Sequence, residues 1–199
     1  MKTAPVHMVV GGLWLLAAAT GIWVLLRYEN GPGRSGLVPH QWPAESRIGR
    51  PHDRLTLVMF AHPKCPCTRA SIDELNRLLV RCEGKVATTV LFTQPGNMPL
   101  DWARGASWNR AAAISGVSVQ ADLDEHEARR FGAETSGFTV LYGPEGHLLF
   151  AGGITAGRGH AGDSAGARAI ASLVAGTSTK PGQAPVFGCA LLDRCVSAN

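Results

Sequence analysis

The sequence predicts an α/β protein, a mixed β-sheet flanked by helices and preceded by one N-terminal transmembrane helix. Three observations carry this. From Met8 to Leu26 the chain reads MVVGGLWLLAAATGIWVLL, 19 residues without a charged side chain. From His52 onward, short apolar runs alternate with amphipathic stretches, the pattern of a sheet covered by helices. The composition, 45% apolar and 17% charged over 199 residues, suits one domain with an appendage and excludes a mainly disordered or acidic chain. The net charge of +4 is modest and its Lys and Arg are scattered, so nothing points to nucleic acid.

Residues 1–27 read as a membrane anchor. Nineteen helical residues rise about 28 Å, enough to cross a hydrocarbon core. Lys2 ahead of the run favours an N-inside orientation, opposed in part by Arg27 and Arg34. The competing reading is a signal peptide cleaved after Ala17-Ala18-Ala19. The apolar run continues seven residues past Ala19, which favours a retained signal anchor. No cysteine follows the run, so a lipid-anchored form is not suggested. Residues 28–51 are rich in Pro and Gly and lack an apolar period, and read as a linker. The folded domain is expected over 52–180, with a Cys-containing tail over 181–199.

Within the domain, LTLVMF (Leu55–Phe60) is a continuous apolar run suited to a strand buried on both faces. A turn with two prolines follows, then a helix over Thr68–Cys82 with Ile72, Leu75, Leu78, Leu79 and Cys82 on one face. Val86–Phe92 is a second strand, Leu100–Ser115 a helical stretch and Gly116–Ala121 a third strand. Asp124–Phe131 is a short helix closed by Gly132. Phe138–Tyr142 and His147–Ala151 flank Gly143-Pro144-Glu145-Gly146 as a hairpin. Asp163–Ala175 is the last helix, capped by Asp163 and closed by Gly176.

The chemistry concentrates in Cys65-Pro66-Cys67, where a buried strand hands over to a helix. Helix N-terminal N–H groups favour an anion there, so a cysteine at that point is expected to have a lowered pKa, as a nucleophile or a metal ligand. Lys64 and Arg69 add positive charge. A direct Cys65–Cys67 disulfide closes a small ring across Pro66, and strain makes such a bond oxidising. Otherwise one of the pair needs a distant partner or a metal. Cys189 is that partner, a partner for Cys195, or a buried residue. Cys82, on the apolar helix face, reads as core, and Cys195 lies near the end of the sequence.

LVMFAHPKCPCTRASIDEL resembles the active-site segment of the thioredoxin-like superfamily, and TVLYGPEGHLLFAGGIT its closing hairpin. PKCPCTRAS, LLFAGGIT, RGHAGD and VFGCAL together resemble a membrane-anchored bacterial subgroup often labelled RedB-like. The resemblance implies a thioredoxin-like fold over His52–Gly176 and thiol–disulfide activity with Cys65 as nucleophile. Two departures stand against it. The spacing is one residue shorter than C-x-x-C, and Phe138 stands where the family's cis-proline belongs.

His62 precedes the motif and is a candidate to orient a thiolate or bind a metal. An antiparallel hairpin returns the chain to the end it left, so the loop Gly152–Asp163 should face the motif. Its Arg158 and His160 are candidates to tune the site. Trp102 and Trp108 are expected to pack the core.

Two functions fit. The first is a membrane-tethered, periplasmic thiol–disulfide oxidoreductase of a bacterial inner membrane. It needs no cofactor and acts on a protein thiol or disulfide at the membrane. The alternative is a copper-binding metallochaperone using Cys65, Cys67 and His160, since soft thiolates select Cu(I). A peroxidase is a weaker third, because His62 stands where its Thr belongs.

Overall fold

The computed structural model describes residues 4–99 and 101–191, and the chain divides into two compact units that part between Gly31 and Pro32. The first unit is helix α1 (Ala4–Asn30), whose His7–Asn30 stretch is long and apolar enough to cross a membrane and has no buried side chains. That fits a membrane anchor or a signal sequence.

The second unit is built on β1 (Leu55–Ala61), α2 (Cys67–Arg81), β2 (Val86–Gln94), α3 (Ala106–Ala112), β3 (Val117–Leu123), α4 (His126–Arg130), β4 (Phe138–Tyr142), β5 (Leu148–Gly152), α5 (Ala165–Val174) and β6 (Gly182–Ala184). The sheet order is β3-β2-β1-β4-β5-β6. β1 pairs parallel with β2 and antiparallel with β4, which places it centrally, with both faces covered. Its period-two alternation divides the core. Leu57 and Met59 join Ile72, Leu75 and Leu78 of α2 and Ile170 of α5 on one face. Val58 and Phe60 join Phe131, Phe138, Val140 and Tyr142 on the other. This is the mixed sheet flanked by helices that the sequence predicts, and its topology is thioredoxin-like.

Three expectations need correction. The stretch from Pro32 to Pro51 is laid along the domain rather than hanging as a linker. Gly36 N–H donates to Gly132 O at 2.8 Å, Trp42 N–H to Gly146 O at 2.8 Å and Leu148 N–H to His40 O at 2.9 Å. The Trp42 ring meets Phe131 at 5.1 Å and Tyr142 at 5.2 Å, both edge-on, and Ile48 is buried. Second, the folded domain does not end at residue 180, because β6 adds to the sheet parallel to β5 and brings the tail back to it. Third, Ser164 rather than Asp163 caps α5, its Oγ accepting from Ala167 N–H at 3.1 Å. Asp163 pairs instead with Arg168 at 2.6 Å.

The first correction has a measurable consequence. Trp42→Ala removes an aromatic from a packed cluster and will lower stability by about 2 kcal/mol, where a linker substitution would change nothing. Urea unfolding of the detergent-solubilised chain, followed by far-UV circular dichroism, checks this.

Candidate active site

The site forms where β1 ends. Cys65 N–H donates to His62 O at 3.2 Å and Thr68 N–H to Cys65 O at 3.1 Å, closing two consecutive turns. Pro66 stands at the N-cap of α2 with φ −63°. Its ring presets that angle, and its missing N–H costs nothing where the helix has no partner for it. Cys65 therefore lies just ahead of the helix, and the N–H groups of Cys67 and Thr68 point at its sulfur.

A buried polar network ties this turn to the loop before β4. Ser136 Oγ accepts from His62 N–H at 2.9 Å and lies 2.8 Å from Thr68 Oγ1, which donates to His62 O at 2.9 Å. Gly137 N–H donates to Phe60 O at 2.7 Å. Gly137 has φ +89°, and a Cβ there would come within 2.7 Å of Ser71 Oγ, so the loop passes close to α2 only as glycine. The described residues contain no cis peptide bond. Ser136 and Gly137 thus hold the motif by hydrogen bonds and close backbone approach. Serine and threonine at these positions carry no sequence signal, and the reading from sequence missed them.

Three of the expected cysteines converge. Cys65 is 4% exposed, and its Sγ lies 2.7 Å from that of Cys189, delivered by the chain after β6. Burial opposes a Cys65 thiolate. Hydrogen bonds from the Cys189 thiol and from the N–H groups of Cys189, Cys67 and Thr68 outweigh it, and hold Cys65 below its ordinary value. Cys67 goes the other way. Burial, the Cys65 charge and a hydrogen bond to Cys65 push its thiol up, against the Arg158 guanidinium and Gly159 N–H. Burial, the hydrogen bond to Cys65 and the charges of both other cysteines push Cys189 up to about 12. Of the three, Cys65 alone is shifted toward its thiolate, while Cys67 and Cys189 are shifted toward their thiols.

The loop after β5 lies beside this trio. Arg158 acts on Cys67 and Cys189 and donates to Gly188 O. His160 Nδ1 lies 2.8 Å from Arg158 O, and its side chain is exposed. Glu74 of α2, 1% exposed, anchors the loop by accepting from Gly162 N–H at 3.0 Å while pairing with Arg77 at 3.0 Å. His62 serves the turn itself, its Nδ1 accepting from Lys64 N–H at 3.2 Å and its ring meeting Trp102 edge-on at 5.7 Å. Cys82 is in the core. Cys195 lies outside the described residues. Among the described residues, no three His, Cys, Asp or Glu side chains are grouped so as to hold a metal ion.

The rate of Cys65 alkylation by iodoacetamide, read residue by residue by mass spectrometry, will rise with pH to a plateau. The thiolate is the reacting form, so its midpoint will lie below the roughly 8.5 of a free thiol. Cys189 will stay unreacted across that range. A Cys65 midpoint at or above the free value would contradict the hydrogen-bonded thiolate.

No protein-family model matches the sequence, and no curated protein matches it. Solved structures do. A hypothetical protein from Sinorhizobium meliloti is 17% identical, with a TM-score of 0.61 over 79% of this chain and 96% of that one. An uncharacterised conserved protein from Geobacillus kaustophilus is 13% identical, with a TM-score of 0.55 over 84% and 95%. A secreted Mycobacterium tuberculosis disulfide oxidoreductase is 14% identical, with a TM-score of 0.44 over 62% and 82%. At these identities the likeness is one of fold.

Proposed function

We propose that this thioredoxin-like chain is a membrane-tethered thiol–disulfide oxidoreductase of the periplasmic side, whose redox pair is Cys65 and Cys189. The observation that carries this is the 2.7 Å approach of the two sulfurs at the N-terminus of α2. The three cysteines have unequal roles. Cys65 is the thiolate, shifted down by the donors around it. It attacks one sulfur of a client disulfide, forming a mixed disulfide and expelling the other client sulfur as a thiolate. Cys189 then gives up its proton and attacks Cys65 Sγ, which frees the second client thiol and leaves Cys65–Cys189 oxidised. The reverse sequence oxidises a client dithiol. Cys67 donates a hydrogen bond to the Cys65 thiolate and is the supporting thiol.

The membrane-length helix α1 and the resemblance of PKCPCTRAS and LLFAGGIT to membrane-anchored RedB-like proteins support the tether. Clients at the membrane surface follow from it.

The test uses the full chain, purified in detergent without oxygen. The expected result is two thiols lost and regained per reversible oxidation, with exchange against insulin disulfides abolished in Cys65→Ser. Retention in the membrane fraction after alkaline carbonate extraction is expected alongside. Stoichiometric bound copper with no exchange would overturn the redox assignment in favour of metal delivery.

A further inference from the structure

The proposed nucleophile is covered. Cys65 is 4% exposed, and disulfide exchange depends on access to the sulfur. What lies on it is neither sheet nor helix but the extended segment from Val186 to Leu191. That segment is held as a strand would be. Ser136 N–H donates to Cys189 O at 2.8 Å, Leu191 N–H donates to Glu134 O at 2.9 Å, and Thr135 faces Ala190 in an antiparallel bridge. From the other side Arg158 donates to Gly188 O. Val186 and Leu191 are buried at its two ends. The fit is tightest at Gly188, where a Cβ would stand 2.0 Å from Ser136 O.

We propose that the edge Glu134–Ser136 is the docking site for an extended client segment in which glycine immediately precedes the reacting cysteine, and that residues 186–191 are its built-in occupant. The proposal rests on the redox reading above and names the client that reading leaves open. Backbone pairing to a free edge gives affinity for extended segments without regard to most side chains. Selection comes from the close approach at Ser136 O, which admits glycine and rejects a Cβ. The chain's own Phe187-Gly188-Cys189-Ala190 shows the pattern.

The steps follow. The tail leaves the edge and a client strand takes its place, with the client sulfur where Cys189 stood. Cys65 thiolate attacks that sulfur. A Cys65–client disulfide forms, the client S–S bond breaks, and its other sulfur leaves as a thiolate that takes a proton from water. When the client strand slides off and the tail returns, Cys189 loses its proton to solvent and attacks Cys65 Sγ. The Cys189–Cys65 bond forms as the mixed disulfide breaks, and the released client thiolate is protonated. The client gains two electrons, which the Cys65–Cys189 pair supplies.

The test compares three probes on the reduced full chain. They are a small aryl disulfide, 2,2′-dithiodipyridine, and two nine-residue peptides that differ only in Gly-Cys against Val-Cys, each activated as a thiopyridyl disulfide. Thiopyridone release reads the first attack on Cys65. The wild type is expected to react about tenfold faster with the Gly-Cys peptide than with the Val-Cys peptide. Gly188→Ala and Leu191→Pro, which unseat the tail at Ser136 O and at Glu134 O without removing Cys189, should each speed the Gly-Cys peptide about tenfold, because a site closed most of the time reacts in proportion to its open fraction. Two variants at opposite ends of the segment guard against one failing to fold, and the peptide comparison needs neither. Equal rates for the two peptides, or rates within about twofold of wild type in the folded variants, would overturn the inference while leaving the redox pair intact. No reaction of wild type with the aryl disulfide would overturn the redox reading itself.

Discussion

Cys189→Ser will stop turnover at a covalent intermediate. The variant keeps Cys65 and its backbone donors, so the first attack on a client disulfide survives. The second step loses its nucleophile. An intramolecular thiol held at the reacting sulfur is equivalent to a very high concentration of free thiol, so its removal will lower turnover by about a hundredfold or more. The Cys65–client mixed disulfide will accumulate and be visible on non-reducing gels. Cys67→Ser is the discriminating control. If Cys189 resolves, that variant turns over within about tenfold of wild type, its loss confined to a weakened thiolate. If the two neighbouring cysteines of the motif work as a pair, Cys67→Ser traps the intermediate and Cys189→Ser turns over normally. The 2.7 Å approach of Cys65 and Cys189 favours the first outcome.

Gly166→Ala will be among the most destabilising single-methyl changes in the domain. In an exposed helix the same change stabilises by about 1 kcal/mol. Gly166 lies in the first turn of α5, against the sheet, and a Cβ there would stand 1.9 Å from Gly153 O and 3.2 Å from the Ala184 Cβ. The first obstacle is backbone, which cannot rotate away, so α5 has to separate from β5 and β6. The net cost will be about 2–3 kcal/mol. Gly49→Ala, with nothing within 4 Å, will stay within about 0.5 kcal/mol of wild type. Chemical denaturation of the pair reads the difference. Equal stabilities would show that the helix can shift without penalty. The loop that carries Arg158 starts at this joint, with Ser164 Oγ donating to Ile154 O at 2.7 Å, so the loop's hold on Gly188 should loosen too.

Much of the fold was legible because its signals are local. The LTLVMF run suits a strand buried on both faces, and it became the central β1. The hairpin announced itself through Gly143-Pro144-Glu145-Gly146, and β4 and β5 pair across it. The cysteine motif at the β1–α2 junction was readable from strand, turn and helix in succession. The strap from Pro32 to Pro51 was not readable, because its attachment has no period. Trp42 is fixed by a surface made of Phe131 and Tyr142, roughly ninety to a hundred residues away in sequence. The three-residue β6, Gly-Gln-Ala, has no strand propensity of its own and exists because the β5 edge offers it partners.

By itself, the sequence determined the α/β class, the membrane-length helix and the cysteine at a helix N-terminus, since each follows from apolar periodicity or from chemistry within a few residues. Which sulfur faces Cys65 was decided only by the tertiary structure. Cys67 is two residues away but starts a helix turning off from the strand end, and burial and the Cys65 charge push its thiol up. Cys189 is 124 residues away in sequence and arrives in contact. It does so because the β5 edge accepts β6 and the loop Glu134–Ser136 accepts the chain beyond it. The free energy for that placement lies in backbone hydrogen bonds and three buried side chains, Val186, Phe187 and Leu191, whose partners no local pattern names.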